Sequence, residues 1–426
     1  MQSQGVEAVE AVDPSPAGGV VERGRRGGLL GRIPGIGSDL GLGHNNLVIF
    51  WAMLLNEASF GFYQTLLPLY IKSLGASPGI VGLVIGISGL TRLIFLAPAG
   101  WAADRVPLRK LIVTGRSLSV LGILLYGLAP TWWALFPAIL VMSAGNIVWP
   151  SVSKVIADST DNRGRTRAFT LIYTVGPSIA LLLSPSIGGV MADQISLRSI
   201  FFAAAIAQIG SVLFFARLRP VEHTGDEQVT SVGYRTVLRY KPVVVICALF
   251  LAMLLVLTTG YTLVPNYLED EHNVGIGTIG QFGSIFALGS ILLGVVIAKV
   301  KRFAPPMNAL ILTTSFAPLA FLLLLFGTST WVFALAFLFR GGYFVSWGLT
   351  YAILGEVSPE RLRSRSFALA EVLGGFGFGI APFIAGALFE INPTLPLYAA
   401  LIAIAPLMAG ILLARRYVHG LTPATT

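Results

Sequence analysis

The chain is a succession of long apolar stretches, each about 20 residues, separated by short interruptions rich in charge, Pro or Gly. Twelve such runs occur, near 47–72, 79–101, 110–129, 132–157, 167–191, 197–217, 242–268, 277–300, 306–326, 331–354, 366–389 and 395–414. A stretch of this length, coiled at ~1.5 Å per residue, crosses the ~30 Å hydrocarbon core of a bilayer. Each run is predicted to be a helix, because hydrocarbon offers no partner to an open backbone N–H or C=O. The apolar residues run on without alternation, so the stretches do not read as strands of a membrane barrel.

Composition agrees with lipid as the main solvent. Hydrophobic residues make up 55% of the chain and charged residues 12%, with a mean hydropathy of +0.78. A water-soluble domain carries about 25% charged residues. The net charge of +9 raises the question of a nucleic-acid partner, and its distribution answers it. If the N-terminus is inside, 24 of the 29 Lys and Arg fall in the tails and in the connections on that side. Lys72 and Arg198 alone face the other side, and Arg92, Arg116 and Arg340 lie within runs. That asymmetry predicts a protein of the cell (plasma or inner) membrane with both termini cytoplasmic, and leaves no need for nucleic acid.

Other chemistry is thin. The one cysteine, Cys247, excludes a disulfide framework and a thiolate metal site. No phosphate-binding G-x-x-x-x-G-K-[ST], H-E-x-x-H or G-x-S-x-G stretch appears, and the four His are scattered through tails and loops. No enzyme activity, cofactor or metal is therefore expected. Residues 1–46 are Gly-rich, carry four Arg and lack the apolar core of a signal peptide, which predicts a disordered cytoplasmic tail.

The chain also repeats itself at half its length. RGRTRAF at 163–169 returns as RLRSRSF at 361–367, and TLLPLY at 65–70 returns as TLVPNY at 262–267. Gly82 and Trp149 return as Gly280 and Trp347, all at offsets of 197 or 198. Two six-helix bundles are predicted, 47–217 and 242–416, joined by a cytoplasmic loop, 218–241, with a short C-terminal tail at 417–426. Six crossings per half give both halves one orientation, so they are parallel repeats about an axis along the membrane normal.

The connection after the second run reads GWAADRVPLRK, from Gly100 to Lys110. It resembles the G-x-x-x-D-R-x-G-R-R/K signature of the major facilitator superfamily, with Pro107 where the family usually has Gly. With the duplication, the resemblance covers about 47–415. It implies an all-α membrane protein of twelve transmembrane helices in two pseudo-symmetric bundles, which transports by alternating access. It further implies a conformational latch of Gly100, Asp104, Arg105 and Arg109, with Asp158, Arg163, Glu356 and Arg361 from the duplicated basic loops. Physically, Asp104 suits the positive N-terminus of the eleventh helix and Arg105 can pair with Asp158; the alternative is a set of ordinary inside-facing anchors. The fifth run carries Ser184-Pro185-Ser186-Ile187-Gly188-Gly189, similar to the G-P-x-x-G-G of drug–proton antiporters. Pro185, Gly188 and Gly189 would kink that helix and let a neighbour approach closely, which also serves any transporter.

Charges within a bilayer are expensive and mark function. Glu57 and Arg92 both fall near mid-membrane, on helices that the resemblance makes neighbours. They are expected to interact, with Glu57 carrying a coupling proton; a fixed structural ion pair is the alternative. The resemblance puts helices 1, 4, 7 and 10 around a central cavity, offering Asn56, Gln64, Asn146, Trp149, Tyr261 and Asn266. Arg340, Tyr343, Trp347 and Tyr351 share one face of helix 10. A mostly aromatic pocket suits flat lipophilic compounds, Arg340 suits an anionic group, and plain interhelical packing would also use such a stripe. The expected function is proton-coupled efflux of lipophilic small molecules by a monomer in the lipid bilayer. The rivals are transport of a small organic anion or sugar, and a membrane sensor or scaffold that transports nothing.

Overall fold

A computed structural model describes residues 42–95, 105–145, 148–160, 165–219 and 234–419. The expected tail through residue 41, residues 220–233 and residues 420–426 lie outside the described residues, as do Gly100, Asp104, Asn146 and Arg163. The regular structure of the described residues is helical throughout.

In the first half the helices are α1 (His44–Gln64), α2 (Leu67–Ser73), α3 (Pro78–Ile94), α4 (Leu108–Leu128), α5 (Leu135–Gly145), α6 (Trp149–Asp158), α7 (Arg165–Thr170), α8 (Gly176–Gln194) and α9 (Ser199–Phe215). After a short α10 (Tyr234–Arg239) come α11 (Lys241–Tyr261), α12 (Val264–His272), α13 (Ile276–Lys299), α14 (Pro306–Phe326), α15 (Thr330–Val357), α16 (Glu360–Ile391) and α17 (Leu395–His419). Eight helical stretches are long and apolar enough to cross a membrane alone, and Pro78–Ile94, Trp132–Gly145 and Ser199–Phe215 are shorter apolar ones. With α1 they account for the twelve predicted runs. Exposed Leu183, Ile206, Leu213, Ile402 and Leu413 give the outer surface the apolar character that contact with acyl chains favours.

Several runs are subdivided, for identifiable reasons. The first breaks at Thr65–Leu66, where Leu66 N–H bonds Tyr63 O at 3.0 Å and Pro68 enters the first turn of α2. Proline has no N–H to continue the ladder, and its fixed φ suits a helix start. The seventh run breaks at the repeat-equivalent place, with Pro265 in the first turn of α12. The duplicated TL-x-P-x-Y sequence is thus a duplicated helix break. The fifth run contains a π-helical stretch at Leu171–Val175 before α8, which has Pro177 in its first turn.

Within the first half α1 packs on α8 and α9, and α4 on α5 and α9. Within the second, α14 packs on α15 and α17, α11 on α16 and α17, and α13 on α15. The halves meet along two long seams, α3 on α16 and α8 on α13. Glycine makes both possible. A Cβ on Gly82 would run into Pro382 O and Gly386, and one on Gly280 into Gly189 and Pro185 O. These are repeat-equivalent sets, so one helix–helix contact has been built twice.

The two ends of the bundle differ. At one, Lys72 Nζ reaches across the halves to Glu269 Oε2 at 2.7 Å and to Asp270. Nearby, Asn266 Nδ2 donates to Pro68 O at 3.5 Å, and Glu390 Oε1 accepts from Ser77 Oγ at 2.6 Å and Gly79 N at 3.1 Å. The opposite end holds the start of α1, where Asn45 and Asn46 bond Ser159 and Thr160.

Candidate functional site

Two internal cavities lie side by side and share one wall residue, Phe60 of α1. The larger, about 280 Å³, sits between the halves. Of the predicted cavity residues, Gln64, Tyr261, Arg340 and Tyr343 line it. The Arg340 guanidinium is enclosed by rings, 4.8 Å from the centroid of Tyr261, 5.2 Å from Phe337 and 5.4 Å from Phe286. Tyr343 Oη and Thr258 Oγ1 are hydrogen-bonded at 2.9 Å. Among the described residues Arg340 is the one charged group in this lining, and the rest is mainly apolar or aromatic.

The remainder of the α15 stripe serves elsewhere. Trp347 stacks on Phe378 at 5.2 Å and on Tyr351 at 6.1 Å, and meets Phe250 edge-on. Tyr351 donates to Glu371 Oε1 at 2.7 Å. Both therefore join α15 to α11 and α16 instead of lining this cavity. Asn266 is buried in the contact between α2 and α12. Trp149 and Asp158 are the first and last residues of α6.

The second cavity, about 240 Å³, lies inside the first half. It brings together Glu57 and Asn56 of α1, Arg92 of α3, Arg116 and Ser119 of α4, and Gln208 of α9. Asn56 Nδ2 donates to Glu57 Oε1 at 3.0 Å. Glu57 and Arg92 both line this cavity, and the ion pair that Arg92 makes is with Glu371 Oε2 of α16, at 3.3 Å. The fully buried cation beside Glu57 is Arg116, 2% exposed and within electrostatic reach of the carboxylate. The sequence marks Arg116 as a charge within an apolar run but does not place it beside Glu57. Its signal was the spacing of Arg116, Ser119 and Ile123, which puts two polar groups on one face of an apolar helix.

Arg109 donates to Ala216 O at the end of α9, inside its own half. Arg105, Glu356 and Arg361 are exposed. Of the helix-packing motif, Gly189, against Gly277 and Gly280, and Pro185, against Gly283, sit in the α8–α13 seam, while Gly188 lies against the Phe62 backbone of α1 in its own half.

Solved transporters share this overall fold. A point mutant of the nucleoside transporter NupG superposes with a TM-score of 0.72 at 13% identity, covering 89% of this chain and 100% of that one. A bacterial homologue of the human lysosomal transporter Spinster, in an inward-facing and unoccupied conformation, gives 0.69 at 15% identity over 89% and 98%. By sequence the chain is similar to the quinolone resistance protein NorA of Staphylococcus aureus (strain MSSA476), 23% identical over 373 residues, 83% of this chain and 92% of that protein. The sequence profile of the Major Facilitator Superfamily matches residues 49–382 and 245–425. This α-helical integral membrane protein, with its two repeat halves around a central cavity, belongs to the Major Facilitator Superfamily of transporters.

Proposed function

We propose that the protein is a proton-coupled exporter of lipophilic small molecules in the cell membrane. The observation that carries the reading is the separation of two cavities by Phe60: one titratable and inside a single half, the other aromatic and between the halves. A proton and a substrate could thus be bound apart and still be felt by one helix, α1. Similarity to NorA, which is named for quinolone resistance, supports a drug-like cargo. Of the 29 Lys and Arg, the sequence puts only Lys72 and Arg198 at the end that the cross-half bridge closes, which supports assigning that end to the outside and the termini to the cytoplasm. The conformation described is then inward-facing.

In this reading, a proton on Glu57 neutralises the carboxylate beside Arg116 and Arg92. The freed positive charge alters how Arg92 holds Glu371 across the halves, and that pair is the link between proton site and rocking motion. The experiment is dye and drug accumulation in cells expressing the wild type or Glu57→Gln, with and without an uncoupler. Wild type is expected to lower accumulation, and both the uncoupler and the substitution to abolish that effect. Efflux that persists in Glu57→Gln and is indifferent to the uncoupler overturns the proton-coupling assignment.

A further inference from the structure

The central cavity holds a cation that its own walls leave without a counter-charge. Among the described residues Arg340 is the one charged group of the lining, and no carboxylate is among the walls. Arg340 Nε and Tyr261 Oη are both buried and both without a hydrogen-bond partner among the described residues. Tyr261 is 2% exposed. A guanidinium carries five donors in a planar fork that matches a carboxylate, and a buried donor left unmade is costly. Ring faces stabilise the charge in part but accept no N–H bond along the fork.

The same rings decide the sign of the ligand. Aromatic walls in a transporter invite a cationic substrate, because a ring face attracts positive charge. Here the faces of Tyr261, Phe286 and Phe337 are already taken by Arg340, at 4.8 to 5.4 Å. A cationic ligand would meet a fixed like charge in a low dielectric, while an anion would meet a charge already in place, held by three rings and needing little rearrangement.

We infer that the substrates of this cavity are flat amphipathic acids, whose carboxylate or comparable anionic group is held by the Arg340 fork and Tyr261 Oη while the ring system lies between Phe60 and Phe378. This rests on the proposed export of lipophilic molecules and narrows it to those with an acidic group. The volume of about 280 Å³ fits a small fused ring system.

The test uses the full chain in lipid nanodiscs and three probes of one shape: 2-naphthoate, its methyl ester, and 2-naphthylmethylamine. Binding is read by quenching of tryptophan fluorescence. The acid is expected to bind roughly 10- to 100-fold tighter than ester or amine, the range of a charge-assisted hydrogen bond. Arg340→Gln should erase that preference while keeping the weak binding of the ester, which shows that the cavity is still formed. Arg340→Lys should keep part of it, since a point charge remains without the fork. Tyr261→Phe should weaken the acid alone. Ester or amine binding as tightly as the acid in wild type, a preference that survives Arg340→Gln, or no binding of any probe would each overturn the inference. Cellular efflux separates it from the broader reading: neutral or cationic dyes exported with no preference for acids sink only the inference. Tight acid binding with no export of any compound sinks only the exporter.

Discussion

The two seams that join the halves are copies of one another, and they have diverged. In both, a glycine of one helix lies on a Pro–Gly pair of the other: Gly82 of α3 on Pro382 and Gly386 of α16, Gly280 of α13 on Pro185 and Gly189 of α8. Away from that point the copies differ. Between its ends the α3–α16 seam is apolar, with Gly86 under the Phe383 ring, Leu90 on Gly379 and Leu93 on Gly375, and one end carries the Arg92–Glu371 ion pair. The α8–α13 seam instead carries a polar contact, with Ser186 N and Oγ bonded to Ser284 Oγ at 3.1 and 2.7 Å. Past it, Gly289 and Ser290 of α13 turn to Leu338 and Gly341 of their own half. A duplicated contact need not do the same work twice. The continuous seam suits a pivot that stays shut, and the shorter, polar one suits a joint that slides.

The strongest way to break the comparison is to fill its shared element. Gly82→Val and Gly280→Val each force a branched side chain against backbone atoms, and overpacking of this kind costs about 1–3 kcal/mol. Loaded onto a two-state conformational equilibrium, that is roughly 5- to 150-fold. Both variants are expected to lose most transport while still inserting and purifying as folded protein by size exclusion. Normal transport by either one would mean that the backbones do not approach so closely during the cycle. A second test separates pivot from joint. In a Cys247→Ser background, oxidation of Ser186→Cys with Ser284→Cys should stop transport, with recovery on reduction. The pair Leu93→Cys with Gly375→Cys should slow it without stopping it. Equal block by both cross-links would remove the distinction.

Most of the fold was legible because its cause is local and repeated. Hydrocarbon forces helices, so twelve apolar runs became helical segments, and the offset of 197–198 residues between TLLPLY and TLVPNY became a pair of Pro-bounded breaks. Breaks with milder causes were not visible: nothing apolar or polar in LIYTV marks a π-helical turn at Leu171–Val175. The site was legible in its charges and less so in their partners. Glu57 and Arg340 stood out as intramembrane ions, yet the neighbours of each depend on helix rotation, which composition does not fix. Hence Arg92 was matched to Glu57, at similar depth on a helix that the resemblance makes its neighbour, while its ion pair is with Glu371 in the other half. Phe60, one apolar residue among many, gained its meaning only from the two cavities on either side of it.

A smaller effect is expected at the end closed by Lys72. Its bridge to Glu269 and Asp270 is about one-third exposed, so each pair is worth ~0–1 kcal/mol. Lys72→Glu changes attraction into repulsion and should shift the population toward the state open at that end, read as faster labelling of a cysteine placed in the central cavity from that side. Reversal at Glu269→Lys in the same chain should restore the wild-type rate. No change in labelling would show that the seams alone hold this end.

The finest difference between the seams lies at their ends nearest Lys72. Glu390 of α16 caps the start of α3, accepting from Ser77 Oγ and Gly79 N–H. Its repeat equivalent, Asp193 of α8, lies against Gly277 at the start of α13, whose capping position is Gly275 and has no side chain to join. Asp193 is one methylene shorter, and Gly275 lacks the hydroxyl that Ser77 supplies. A carboxylate at a helix N-terminus stabilises by about 0.3–1 kcal/mol. Glu390→Gln should therefore lower the midpoint of thermal unfolding in nanodiscs by a small, measurable step, and Ser77→Ala should lower it further, since Ser77 Oγ also accepts from Ile80 N–H and caps the helix independently of Glu390. Asp193→Asn should change the midpoint less than Glu390→Gln does. If the two carboxylates prove equal, the capping hydrogen bonds contribute nothing beyond charge, and the seams diverge only at their middles, Ser186 and Ser284 against Phe383 and Gly86, and at the far end, where one carries the Arg92–Glu371 pair.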